Sequence, residues 1–105
     1  MQTMLTDFED RIFSYHQLSR HGMLAIYVQL HKVSGTLRYE VIRLHVAKAH
    51  TWPNGTTTPE HEAYPSSGAW GKAGWTFGTR NAAERKLAAL RKHDEDTHSD
   101  VPQAL

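Results

Sequence analysis

The segment LAIYVQLHK, residues 24–32, alternates strictly. Leu24, Ile26, Val28 and Leu30 share one parity, and Ala25, Tyr27, Gln29 and His31 share the other. A strand shows every second residue to the same side, and a helix does not. The segment therefore predicts a half-buried strand, with Ser34-Gly35 as the turn that follows it. A second, longer strand is predicted over LRYEVIRLHVAKAHTW, residues 37–52. Its apolar set changes phase: Leu37, Tyr39 and Val41 lie on one parity, Ile42, Leu44 and Val46 on the other. Either a β-bulge near Val41 or Ile42, or a central strand buried on both sides, reconciles the two sets.

The flanking segments fit around this pair. RIFSYHQL, residues 11–18, reads as a short first strand, followed by a turn ending at Gly22. Trp52-Pro53-Asn54-Gly55 reads as a turn, because Pro53 presets φ and Gly55 accepts a positive value. TTTPEHEAY, residues 56–64, is expected to return as an edge strand or an irregular segment, since Pro59 cannot donate to a ladder. NAAERKLAALRKH, residues 81–93, predicts a helix with Asn81 and Glu84 at capping-box spacing. Ala83, Leu87 and Leu90 share one of its faces. That face is thin, so the helix needs a sheet to lie on. The expected fold is α+β: a small antiparallel sheet of three to four strands with one C-terminal helix packed on it. The single domain spans residues 11–93, between an acidic N-terminal arm, 1–10, and a disordered acidic tail, 94–105.

The stretch EAYPSSGAWGKAGWTF, residues 62–77, holds two tryptophans, a tyrosine, a phenylalanine and three glycines, with only Glu62 and Lys72 charged. Ser66 or Ser67 is expected to cap a single helical turn through Trp70, and Gly71 to end it in the left-handed region. Trp75–Phe77 then reads as a short strand. Each indole covers roughly 150–250 Å² when buried, several kcal/mol at about 25 cal/mol/Å². Tyr64, Trp70, Trp75 and Phe77 are therefore expected to fold back as a second core, with glycines allowing close backbone approach. A base-stacking platform and a partner-binding anchor are the alternatives.

Charge is distributed unevenly. Residues 1–10 and 94–105 carry acids and no Lys or Arg. All 12 Lys and Arg lie between 11 and 93, with only Glu40, Glu60, Glu62 and Glu84 against them. Lys32, Arg38 and Arg43 on the strands, with Arg85, Lys86, Arg91 and Lys92 on the helix, are the expected partner-binding basic surface, against a plain solvated face. Six of the eight histidines, His16, His21, His31, His45, His50 and His61, fall in the part of the domain that precedes the helix. His31 and His45 would approach each other if their strands paired, and His50 or His61 could then complete a zinc set. Their spacing matches no short metal motif, so no metal is assigned. Glu40, Glu60 and Glu62 are the only acids placed for acid–base work. No nucleophile elbow or phosphate loop accompanies them, so no catalytic residue or cofactor is assigned. The chain has no apolar run long enough to span a membrane and no cysteine, and MQTMLTDFEDR does not read as a signal peptide. An intracellular location is expected.

The pattern Tyr64-Pro65-Ser66-Ser67, Trp70-Gly71 and Gly74-Trp75-Thr76, followed by a capped helix, resembles that of small proteins from bacteriophages and other mobile elements. The lead-in TWPNGTTTPEHEAYPSS, residues 51–67, resembles the same group, and the similarity covers about 24–92. It carries over no catalytic residue. It implies an accessory role in the cytoplasm of a bacterial host, in a class that includes inhibitors of host defence systems, anti-CRISPR proteins among them. The expected function is a non-enzymatic protein, monomer or homodimer, that binds a host protein or nucleoprotein. Direct nucleic-acid binding is the first alternative and a histidine-based metal enzyme the second.

Overall fold

The alternating segments become the centre of an antiparallel sheet. The computed structural model describes residues 1–99. In chain order the strands are β1 (Asp7–Glu9), β2 (Phe13–His21), β3 (Leu24–His31), β4 (Leu37–Arg43), β5 (His45–Ala47), β6 (His50–Thr51), β7 (Thr57–Thr58), β8 (His61–Ala63) and β9 (Gly74–Phe77). A single turn of 3-10 helix, Ser67–Ala69, precedes β9, and helix α1 (Arg80–Ser99) closes the chain. The main sheet has the order β1-β2-β3-β4-β9, every pair antiparallel. The α+β class and the C-terminal helix on a sheet are as the sequence predicts, and β1 adds an edge strand to the expected set.

Both faces of the sheet are covered. On one, Leu24, Ile26 and Val41 are buried against Ala83 and Leu87 of α1, with Leu18, Tyr39, Phe77 and Leu90 around them. On the other, Ala25, Tyr27, Ile42 and Leu44 are buried under Met4, Phe8, Tyr15, Met23, Tyr64 and Trp70. The phase change at Val41/Ile42 is thus a two-sided central strand. The pairing of β3 with β4 runs without a slip, and the register shift of the sheet lies in β2, between Gln17 and Ser19.

Three expectations need correction. The predicted strand over 37–52 stops at Arg43, and β5 and β6 belong to separate two-stranded sheets, β5 with β8 and β6 with β7. Leu44 N–H still bonds Met23 O (2.7 Å), one pair past β4 in the same register, and the chain leaves the main sheet beyond that bond. Residues 1–10 are not a separate arm. Phe8 stacks on Tyr15 at 4.6 Å, Thr6 O accepts from Gln17 N (2.7 Å), and Leu5 O accepts from the Tyr27 hydroxyl (2.7 Å). The unpaired edge of β2 and an aromatic anchor together hold the segment down. The helix, finally, starts earlier and ends later than expected. Thr79 caps it, its Oγ1 accepting from Ala82 N (3.2 Å). At the other end Asp94 accepts two bonds from the Arg43 guanidinium, at 2.9 and 3.1 Å, so the helix runs to Ser99. The remainder of the predicted acidic tail, 100–105, lies outside the described residues.

Candidate functional site

The aromatic stretch divides between the two sheet faces. Trp75, opposite Val41, and Phe77, opposite Tyr39, lie on the helix face, where the Lys86 ammonium sits 4.3 Å from the Trp75 ring centroid. Tyr64 and Trp70 lie on the other face, stacked at 6.4 Å and 25°. The expected turn is there, with Gly71 at φ 91°, but no side chain caps it. Gly74 makes the fold-back fit. A methyl at Gly74 would stand 2.5–2.8 Å from atoms of the Trp70 six-membered ring, well inside contact distance.

Glu40 stands at the centre of this second face, only 6% exposed. The Tyr64 hydroxyl donates to Oε1 at 2.6 Å, and Thr76 Oγ1 donates to Oε2 at 3.2 Å. Thr76 is aimed in turn by the Trp70 indole N–H, which donates to it at 3.0 Å. Burial pushes the Glu40 carboxyl up from its ordinary range, and the two hydroxyls partly oppose that. Burial also pushes the Tyr64 phenol up, the neighbouring carboxylate adding to it. Tyr15, Glu40, Tyr64, Pro65, Ser67 and Trp70 line a cleft of about 420 Å³. Sequence reasoning weighed Glu40 only as a general acid or base and left Tyr15 out. The available signal was a lone acid inside the two-sided strand, between Tyr39 and Val41.

The seven basic residues do not form one surface. Lys32 is engaged by Asp10 O (2.6 Å) and Glu9 (3.1 Å), Arg43 by Asp94, and Lys86 by Trp75. Arg38 pairs with Gln29 in register and lies on the face opposite the helix. Arg85, Arg91 and Lys92 are exposed on α1, interspersed with Glu84, Glu95 and Asp96. The histidines are dispersed too. His31 lies beside Phe13 and accepts from the N–H groups of Val33 and Ser34, while β5 pairs His45 with Ala63. Among the described residues no three metal-ligating side chains group together.

The most exposed ordered feature is the hairpin arm formed by β5–β8. Its base is tied to the body by Gln2, which exchanges backbone bonds with Glu60 and Glu62, and by a forked Arg20–Glu62 ion pair at 2.6 and 2.7 Å. Beyond the base every residue from Lys48 to Thr57 is exposed. The tip is nevertheless internally built. Trp52 N donates to Thr56 O (2.8 Å), its indole N–H to Thr58 Oγ1 (3.0 Å), and Thr56 N to Asn54 Oδ1 (3.0 Å). Gly55 closes the turn at φ 88°, as predicted. The Trp52 ring, 50% exposed, meets His50 edge to face at 4.4 Å. Among the described residues no helix is long and apolar enough to cross a membrane. Comparison of the chain with protein-family models, curated proteins and solved structures returns no match.

Proposed function

We propose that this chain is a small non-enzymatic interaction protein, of the accessory kind its sequence pattern resembles, that grips a host protein or nucleoprotein with the β5–β8 arm. One observation carries the reading: a self-braced hairpin holds Trp52 in solvent, and no residue from Lys48 to Thr57 packs into the body. An exposed tryptophan on an ordered scaffold has the properties of an interface anchor. It offers a large contact area and little conformational freedom left to lose on binding. Val46, 42% exposed, extends the apolar surface toward the base of the arm. The dispersal of the cations favours a protein surface over bare nucleic acid, because phosphate binding needs several cations on one face. Inhibition of a host defence system is the role the resemblance suggests for such a grip.

Site-specific photo-crosslinking tests this. A photoreactive residue in place of Trp52, in the chain expressed in bacterial cells, should give a discrete adduct. The same group at Val33, an exposed site on the β3–β4 turn, should not. An adduct of twice the chain's mass would identify the partner as a second copy. Equal labelling from both positions, or none from either, would defeat the proposal. Trp52→Ala should leave folding stability within about 0.5 kcal/mol of wild type, as exposed substitutions do.

A further inference from the structure

The Glu40 cleft carries an inference independent of the arm. A carboxylate ordinarily reaches such burial with a cation beside it, because an unpaired ion is costly to desolvate. Glu62, the other buried acid, follows that rule through Arg20. Glu40 has neutral donors instead, one hydroxyl on each oxygen. A carboxylate offers about four acceptor positions, so acceptor capacity is left over. The rings around it add to the same sign of potential, since aromatic faces are electron-rich. Trp75 has Lys86 over its ring, whereas no cation is paired with Glu40 among the described residues.

We propose that this cleft binds an organic cation, an alkylated ammonium or a guanidinium, with Glu40 as counter-charge and Tyr15, Tyr64 and Trp70 as walls. The walls are already fixed for the purpose. Gln29 Nε2 donates to the Tyr15 hydroxyl (3.0 Å), Tyr64 is held by Glu40, and Trp70 by Thr76. Tyr15 is tilted 58° to Tyr64 at 5.8 Å, and Trp70 lies nearly parallel to Tyr64, so the three rings bound the space from different directions. The cleft's 420 Å³ is within the usual range for small-ligand sites. A hard metal ion is the wrong guest, because it demands six or more oxygen ligands and the cleft supplies one carboxylate among rings. An anion is repelled. A bound cation also offsets the burial cost that pushes the Glu40 carboxyl up.

The probe is tetramethylammonium chloride, titrated against sodium chloride at equal ionic strength and followed by the three indole N–H signals in a nitrogen–proton correlation spectrum. The Trp70 signal should shift saturably, with a dissociation constant on the order of 1–10 mM for so small a ligand. The Trp52 and Trp75 signals should stay in place. Choline should bind comparably, and its neutral isostere 3,3-dimethylbutan-1-ol about tenfold more weakly or not at all, since the charge term is missing. E40Q, with its spectrum still dispersed, should lose at least about tenfold in affinity. Methylguanidinium separates the two cation classes. The inference is overturned if neither class gives a saturable Trp70 shift. Equal binding of the isostere, or tighter binding of guanosine, which would make the cleft a base-stacking site, also overturns it. If E40Q does not fold, the comparison of cation with isostere on the wild-type chain decides.

Discussion

The two faces of the main sheet meet the same demand with different chemistry. Under the helix, Leu24, Ile26 and Val41 pack on Ala83 and Leu87. Any amphipathic helix of the right spacing could make such a contact. Under the 64–76 loop, rings replace aliphatic chains. Tyr27 stands 5.4 Å from Tyr64 and 5.6 Å from Phe8, and a buried carboxylate lies among them. That arrangement depends on Tyr64, Trp70, Gly74 and Thr76 all being present. The difference separates a face optimised for cohesion from one that gives up some cohesion to keep a charge in place.

The sharpest way to break the comparison is to cut each face at its centre. Tyr27→Ala removes a fully buried ring together with its bonds to Leu5 O and Gln17. It should cost about 3–5 kcal/mol, a large share of what a domain this size has. Leu87→Ala, the matching cut under the helix, should cost about 2–3 kcal/mol, because an aliphatic truncation lets the helix settle closer. Urea denaturation of the two variants ranks the faces. A larger loss from Leu87→Ala would mean that the loop is a lid on a structure the helix already holds.

Gly74→Ala sharpens the contrast from one side only. The atoms nearest its methyl all belong to the Trp70 ring, on the face away from the helix. The expected cost is about 1–3 kcal/mol, the penalty of overpacking. The near-ultraviolet circular dichroism of the indoles should change while the helical signal stays. A double variant with Trp70→Ala should recover part of the loss. If the two costs simply add, the close approach of ring to backbone is not what Gly74 is for.

These contrasts also mark what could be read in the sequence. β3, β4 and the Ala83-Leu87-Leu90 face were legible because periodicity is a local signal that burial enforces. Gly71 and Gly55 were legible because few residues accept a positive φ. The misses are long-range. Nothing near Asp94 announces that Arg43, 51 positions earlier, will hold it and extend the helix. Nothing near Phe8 announces the edge of β2. Lys48-Ala49-His50 continues a strand-like run, yet the main sheet has already ended at Arg43. The seven cations were correctly seen as an excess, but counting charges does not reveal which are already spent on Asp94, Glu9 or Trp75. Glu40 was detectable in principle, as a charge at a position whose parity neighbours, Ile42 and Leu44, are apolar.

The smallest and most diagnostic effect is the sign of the pH dependence at the two buried acids. Two bonds from Arg20 and one from the Met4 N–H hold the Glu62 carboxyl down at about 2. Its contribution to stability is complete above the ordinary carboxylate range and is lost as pH falls toward 2. Glu40 is shifted the other way by burial. The folded state therefore binds that proton more tightly than the unfolded chain does. Its contribution is complete below the ordinary range and is lost as pH rises through the raised value. Urea midpoints measured from acid to neutral pH should thus change in opposite senses. E62Q should lose most against wild type at neutral pH and least in acid. E40Q should compare best with wild type at neutral pH and worst in acid. Parallel curves for the two variants would mean that Glu40 keeps its charge as comfortably as Glu62 does, and the chemical distinction between the two faces would fall with it.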